Sequence, residues 1–158
     1  MKREIKLFSN IGLYFFIIAF SPVITYAQES DETILENSVV INPSSSKIIW
    51  GPCPEFMPEG CEVAILHGDP TKKNADILFR LPANTDFPNH WHNSPERMVL
   101  LSGELEITYE GENTQTMKQG NYAYGPAKKP HYGKCGNAGP CLLFIALEDS
   151  LDAMPIDK

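Results

Sequence analysis

His90 and His92 stand one residue apart in the stretch NHWHNSPE, and Glu96 follows four residues after His92. Side chains alternate between faces along an extended segment, so the two imidazoles share a face and can grip one ion. Asn93, Ser94 and Pro95 are turn formers, and Pro95 has no N–H with which to continue a ladder. The chain is therefore expected to fold back here and return Glu96 to the histidines. A fourth donor must come from elsewhere. The remaining histidines are His67 and His131, and His131, in GPAKKPHYGK, is the better candidate. Imidazoles and a carboxylate suit borderline divalent ions such as iron, manganese, nickel, copper or zinc, and suit calcium or magnesium poorly. The plain alternative is a polar strand end with exposed imidazoles. No glycine-rich phosphate loop and no Ser/His/Asp triad signature accompanies these residues.

The elements that must position them read as strands. Strand signals recur at spacings of about eight to twelve residues, broken by glycine and proline, which is the pattern of an all-β sandwich or barrel. Strands are expected over 47–50, 62–67, 75–81, 88–92, 98–102, 104–109, 114–117, 122–124, 131–134 and 142–147, with turns at 68–70, 110–113, 119–121 and 136–140. No amphipathic helix period and no internal repeat is found. Trp91 alternates with the two histidines and should face away from them into packing. His67, ahead of Gly68-Asp69-Pro70, reads as an edge histidine and not a further ligand. Tyr122, Tyr124, Tyr132 and Arg80 could line a pocket for an anionic or aromatic molecule, and serve equally well as ordinary β packing.

The N-terminal 27 residues carry a different grammar: Lys2, Arg3 and Lys6, then an apolar run, then Pro22 and a small residue at Ala27. This predicts a secretory signal peptide over 1–27, cleaved before Gln28, and a secreted or periplasmic protein; the competing reading is an uncleaved membrane anchor. After cleavage no stable membrane insertion is expected. Cleavage would take three of the 13 basic residues and one of the 20 acidic ones, leaving 10 and 19 and a formal net charge of −9. Such a surface repels phosphate backbones, so nucleic acid is not an expected partner. Residues 28–46 read as a flexible acidic leader, 47–147 as the folded domain and 148–158 as a C-terminal tail.

Export changes the meaning of Cys53, Cys61, Cys135 and Cys141. An even set in an oxidising compartment forms disulfides, with three connectivities open. The local pairs Cys53–Cys61 and Cys135–Cys141 each bracket a turn rich in proline or glycine and cost little loop entropy, so they are favoured. Thiolate ligation of a soft metal is the weaker reading, because nitrogen and oxygen donors are already present.

Taken in order, His90-x-His92, three residues, Glu96, six residues and Gly103 follow the first motif of the cupin family. Gly120, five residues, Pro126 and His131 follow the second. Over about 47–147 the chain resembles a single-domain cupin, most like the small secreted members of unassigned activity. It departs from the family at Asn84 and Lys128, where glycines are usual, and at Cys135, where an asparagine is usual. Asn84 can take a left-handed conformation at modest cost. The resemblance implies an all-β jelly-roll barrel of two antiparallel sheets, a single domain after the signal peptide, with one divalent transition metal held by His90, His92, Glu96 and His131. Four protein ligands leave an octahedral ion two positions for water, oxygen or a chelating substrate. The leading expectation is an oxidoreductase of dioxygenase type acting on a small organic substrate, with Glu96 also the catalytic proton acceptor. The alternative is a non-catalytic metal or small-ligand binding protein of the cell envelope. Edge strands of such barrels pair readily, which makes a homodimer the expected assembly if there is one.

Overall fold

The computed structural model describes residues 37–156, and the expected signal peptide and residues 28–36 of the acidic leader lie outside them. The chain divides into a unit spanning 1–38 and a unit spanning 39–158, and every described strand belongs to the second. Eleven strands and no helix occur among the described residues. They are β1 (Gly51–Pro52), β2 (Glu62–His67), β3 (Asp76–Leu81), β4 (Thr85–Trp91), β5 (Glu96–Ser102), β6 (Glu104–Tyr109), β7 (Gln115–Lys118), β8 (Tyr122–Gly125), β9 (His131–Cys135), β10 (Cys141–Leu147) and β11 (Met154–Pro155). One sheet runs β1-β2-β3-β10-β5-β8 and the other β11-β4-β9-β6-β7, with antiparallel pairing throughout. This is a jelly-roll barrel of two antiparallel sheets.

Period-two burial explains the barrel. In β10 the residues Cys141, Leu143, Ile145 and Leu147 are buried while the residues between them are half-buried, and β5 alternates in the same way. The inward side chains of both sheets meet in one core that includes Ile77, Leu100, Leu105, Ile107 and Leu143. Each such side chain contributes about 1.5–3 kcal/mol when fully buried.

Three irregularities mark the strands and loops that carry the histidines. The register of β4 against β9 shifts between Phe87 and His90, with Pro88 and Asn89 exposed. Proline in a strand is confined to edges and bulges, and this bulge returns His90 to the inner face three residues after Phe87, where strict alternation would have turned it outward. Asn84 and Lys128, which stand at the glycine positions of the two motifs, both have φ of 59°. The left-handed turns are thus kept without glycine, at a cost of roughly 1 kcal/mol for the lysine. Lys128 N–H donates to His92 O at 2.7 Å and fastens its loop to the histidine segment.

The segment 148–156, read from the sequence as a tail, is built into the fold. Ser94, fully buried, accepts hydrogen bonds from the N–H groups of Glu148 and Asp149 at 2.9 and 3.0 Å. The chain then reaches β11, where Met154 pairs with Trp91 and Pro155 with His90. At the other end no strand forms over 47–50. Trp50 instead lies under the Arg80 guanidinium, 4.1 Å from its ring centre, and pairing with β2 begins only at Gly51.

The disulfides are Cys53–Cys61 and Cys135–Cys141, the two local pairs. The second links β9 of one sheet to β10 of the other, beside the β5–β6 turn. Gly103 in that turn has φ of +83°, and a Cβ there would meet Pro140 O at 2.8 Å and Cys141 Cα at 2.9 Å, so the last residue of the first motif has to be glycine. Opening either short loop should cost about 2–3 kcal/mol. Cys135 and Cys141 are wholly buried, so replacing that pair with serine should destabilise more than replacing Cys53 and Cys61, because it also buries two hydroxyls. Denaturant unfolding of the two double variants, with unreduced peptide mapping of the parent, checks this. Crossed pairing, free thiols or the reverse order of stability would contradict it.

Candidate metal centre

His90 is near the end of β4, His92 one residue beyond it, and His131 opens β9 directly opposite His90 in the ladder. Their ligand nitrogens all lie within 4.8 Å of one another, and the ring centres of His90 and His131 are 4.4 Å apart. Glu96 comes from the other sheet, as the first residue of β5. Its carboxylate oxygens lie 3.5 Å from His92 Nε2 and 3.8 Å from His131 Nε2. Both His90 and His131 are buried, as is Glu96. His67 is exposed at the end of β2 and is not among the converging histidines.

Each imidazole has its Nδ1 against a backbone carbonyl. For His90 this is Pro88 O at 2.8 Å, for His131 Lys129 O at 3.2 Å, and for His92 the carbonyl of Asp152. A carbonyl only accepts, so Nδ1–H donates, and each Nε2 keeps a lone pair. The same bond to an outer carbonyl fixes ring orientation in metal-ligating histidines. The Asp152 carboxylate accepts from Asn93 N–H at 2.9 Å and from the Asn93 amide at 2.6 Å, which locks the segment that supplies the carbonyl for His92.

Burial decides the electrostatics. Loss of hydration, then the neighbouring His92, lowers the His90 pKa to about 4. Loss of hydration followed by His90 and His92 lowers that of His131 to about 3. Desolvation raises the Glu96 pKa, the Asp152 charge adds to the rise, and His92 opposes it. Lone pairs gathered in a buried site beside a carboxylate match the donor set of a borderline divalent ion, so these residues fit the metal that the fold implies.

Tyr109, on β6 opposite His131, packs on it with ring centres 5.0 Å apart. Its hydroxyl is the buried side-chain polar atom without a hydrogen-bond partner among the described residues. The hydroxyl lies over Gly125, the cross-strand partner of Glu96, where a Cβ would come within 2.6 Å of it. Burial and the Glu96 charge raise the pKa of this phenol. Nothing in the spacing around Tyr109 marks it from sequence.

The site opens into a cavity of about 400 Å³ between the sheets, with Phe79, Met98, Ile145 and Leu151 among its walls. Tyr122, Tyr124 and Tyr132 do not line it; they alternate with inward residues and are half exposed or more. Arg80 is also outside, bonded to Glu62 and stacked on Trp50. The sequence missed Asp152 as a site residue, because nothing local ties a residue of the last segment to His92.

A two-sheet barrel with a histidine triad facing an internal cavity defines a class of metal-site jelly rolls. Residues 77–147 match the family model of the cupin domain, and the two-sheet barrel has the cupin fold of the solved structures it resembles. An uncharacterized protein of Methanocaldococcus jannaschii is 33% identical over 46 residues, which cover 29% of this chain and 40% of that protein. The DMSP lyase of Ruegeria pomeroyi aligns with TM-score 0.58 and 20% identity over 69% of this chain and 60% of its own. The polyketide cyclase of Streptomyces resistomycificus gives 0.62 and 14% over 76% and 87%. A mutant of Bacillus subtilis oxalate decarboxylase gives 0.54 and 23% over 63% and 29%. At these identities the likeness concerns the fold, and the chain spans well under two thirds of the curated relative.

The pKa shifts carry a consequence for the metal-free protein. Unfolded histidine titrates near 6.5, so between that value and about 4 for His90, or about 3 for His131, the unfolded chain binds protons that the folded chain refuses. Stability must therefore fall with falling pH, by up to about 1.4 kcal/mol per pH unit for each histidine. Glu96 acts in the opposite sense above its reference value of 4.5, where the folded chain keeps a proton that the unfolded chain releases. Two histidines outweigh one carboxylate, so metal-free protein should lose stability from pH 6.5 to 4.5 and more steeply below. Denaturant titrations across this range check it, and His131→Gln should flatten the slope. A level profile in the parent would contradict the burial argument.

Proposed function

We propose that the domain is a metal-dependent oxidoreductase of dioxygenase type acting on a small organic substrate. In this reading His90, His92, Glu96 and His131 hold one divalent transition metal. The observation that carries the proposal is that three inward Nε2 lone pairs and one carboxylate face a cavity large enough for a small molecule. An ion bound there supplies Lewis acidity and, if it is redox-active, a path for electrons from substrate to oxygen. The protein residues do the rest. The carbonyls of Pro88, Lys129 and Asp152 hold the rings, the apolar walls exclude water, and Glu96, the buried carboxylate of the set, takes the substrate proton. Oxygen itself is the oxidant and the source of the atoms added, so no further reductant is required.

The cupin fold does not select among reactions, and the structural neighbours bear the names of a lyase, a cyclase and a decarboxylase. A second reading, a non-catalytic metal or small-ligand binding protein, is favoured by one observation. The other carboxylate at the cavity, Asp152, is already engaged by Asn93, so among the described lining residues no second carboxylate is free beside the ligand Glu96 to act as acid or base.

Metal content of identically purified parent and His90→Ala, His92→Ala, Glu96→Ala, His131→Ala and His67→Ala variants tests the ligand set. The first four should lose metal by roughly tenfold or more in affinity and His67→Ala should keep it, while loss of the ion should lower the melting temperature. Oxygen uptake by iron-loaded parent with catechols, flavonols and diketones then separates the readings: uptake supports the oxidoreductase, and tight binding without uptake supports the binding protein. Full metal in all five variants would show the site to be elsewhere.

A further inference from the structure

The cavity walls limit what can occupy it. Val63, Ile77, Phe79, Leu143 and Ile145 cover one side, and the charged groups among its described lining residues are Glu96 and Asp152, both acidic. The nearby cations are turned outward and engaged elsewhere: Arg80 by Glu62, Arg97 by Glu148 and Lys129 by Glu112. An anionic ligand would leave water and find no ammonium or guanidinium to meet it, which costs several kcal/mol. A divalent ion held in the site would bring the sum of its charge and those of the two carboxylates to zero, so no net positive charge would face an anion there.

An uncharged ligand gains from the same walls. Apolar surface taken from water contributes about 25 cal/mol per Å². Cavities of this size hold molecules of one or two rings, with orientation set by a few polar groups at one end. Here the polar end is the histidine cluster with Glu96. The loop closed by Cys53–Cys61 lines the cavity with Cys53, Pro54 and Met57 and comes up beside this end, its Phe56 ring 5.9 Å from that of His90.

We infer that the ligand is an uncharged, largely apolar small molecule that presents a carbonyl or hydroxyl oxygen to the histidines, and that carboxylates are rejected. This rests on the proposed site in naming where the oxygen points, but the charge selection belongs to the walls and holds with or without metal. It therefore separates this protein from relatives that would take acidic substrates in the same fold.

Three probes of matched shape test it: 2-acetylnaphthalene, 2-naphthoate and (2-naphthyl)trimethylammonium, each titrated by calorimetry into zinc-loaded and metal-stripped protein. The ketone should bind at least roughly tenfold more tightly than either ion in both forms. Val63→Lys, which adds an ammonium to a half-buried wall position, should raise naphthoate affinity by roughly tenfold and leave the ketone little changed. Tighter binding of naphthoate or of the ammonium by the parent, or equal binding of all three, would overturn the inference. Failure of zinc to load while the ketone preference persists would overturn the metal site and leave the ligand class standing.

Discussion

Three hydrogen bonds from imidazole Nδ1 to backbone carbonyl are the constraint on which the site depends. Without them each ring could turn about its χ2 and put either nitrogen, with or without a proton, toward the centre. With them the outer nitrogen is a donor, and the inner one presents a lone pair. Each of the three carbonyls comes from irregular backbone: the bulge at Pro88, the loop after left-handed Lys128, and the segment that ends in β11. The regular ladders bring the histidines close, and the departures from regularity aim them.

The remaining ligand candidate crosses from the other sheet, so the site also depends on the sheets keeping their spacing. Glu96 is held by ladder pairing to Leu147 on one side and Gly125 on the other. Tyr109 reaches from beside His131 to Gly125 and spans the gap between the sheets, at the expense of a hydroxyl left without a partner among the described residues. An unpaired buried hydroxyl costs about 1–3 kcal/mol. The Cys135–Cys141 bridge joins the same two sheets at the β9–β10 connection. Between these ties the apolar side chains line a cavity and do not close it.

Most of the ladder was legible in the sequence because inward and outward residues alternate so regularly; strands over 62–67 and 104–109 coincide with β2 and β6 to the residue. The histidine cluster was legible because an x-separated pair and a motif-placed His131 carry their positions locally. Asn84 kept the left-handed turn that its residue type permits. What could not be read depended on partners far along the chain. Residues 148–156 carry no strong strand signal, and only docking onto Ser94 and β4 orders them. No strand forms over 47–50: pairing with β2 begins only at Gly51, and Trp50 stacks on Arg80, 30 residues away in sequence. The exposed tyrosines of β8 and β9 were placed by strand parity, which depends on a register that composition does not reveal.

The tautomers of the three histidines test the central claim most directly. Long-range nitrogen–proton NMR spectra of metal-free protein at pH 7 distinguish protonation at the two ring positions. The account requires Nδ1–H with unprotonated Nε2 at His90, His92 and His131, and a shift at all three Nε2 atoms when zinc is added. An Nε2–H tautomer at any of them, an imidazolium signature at His90 or His131, or zinc shifts confined to His67 would contradict it.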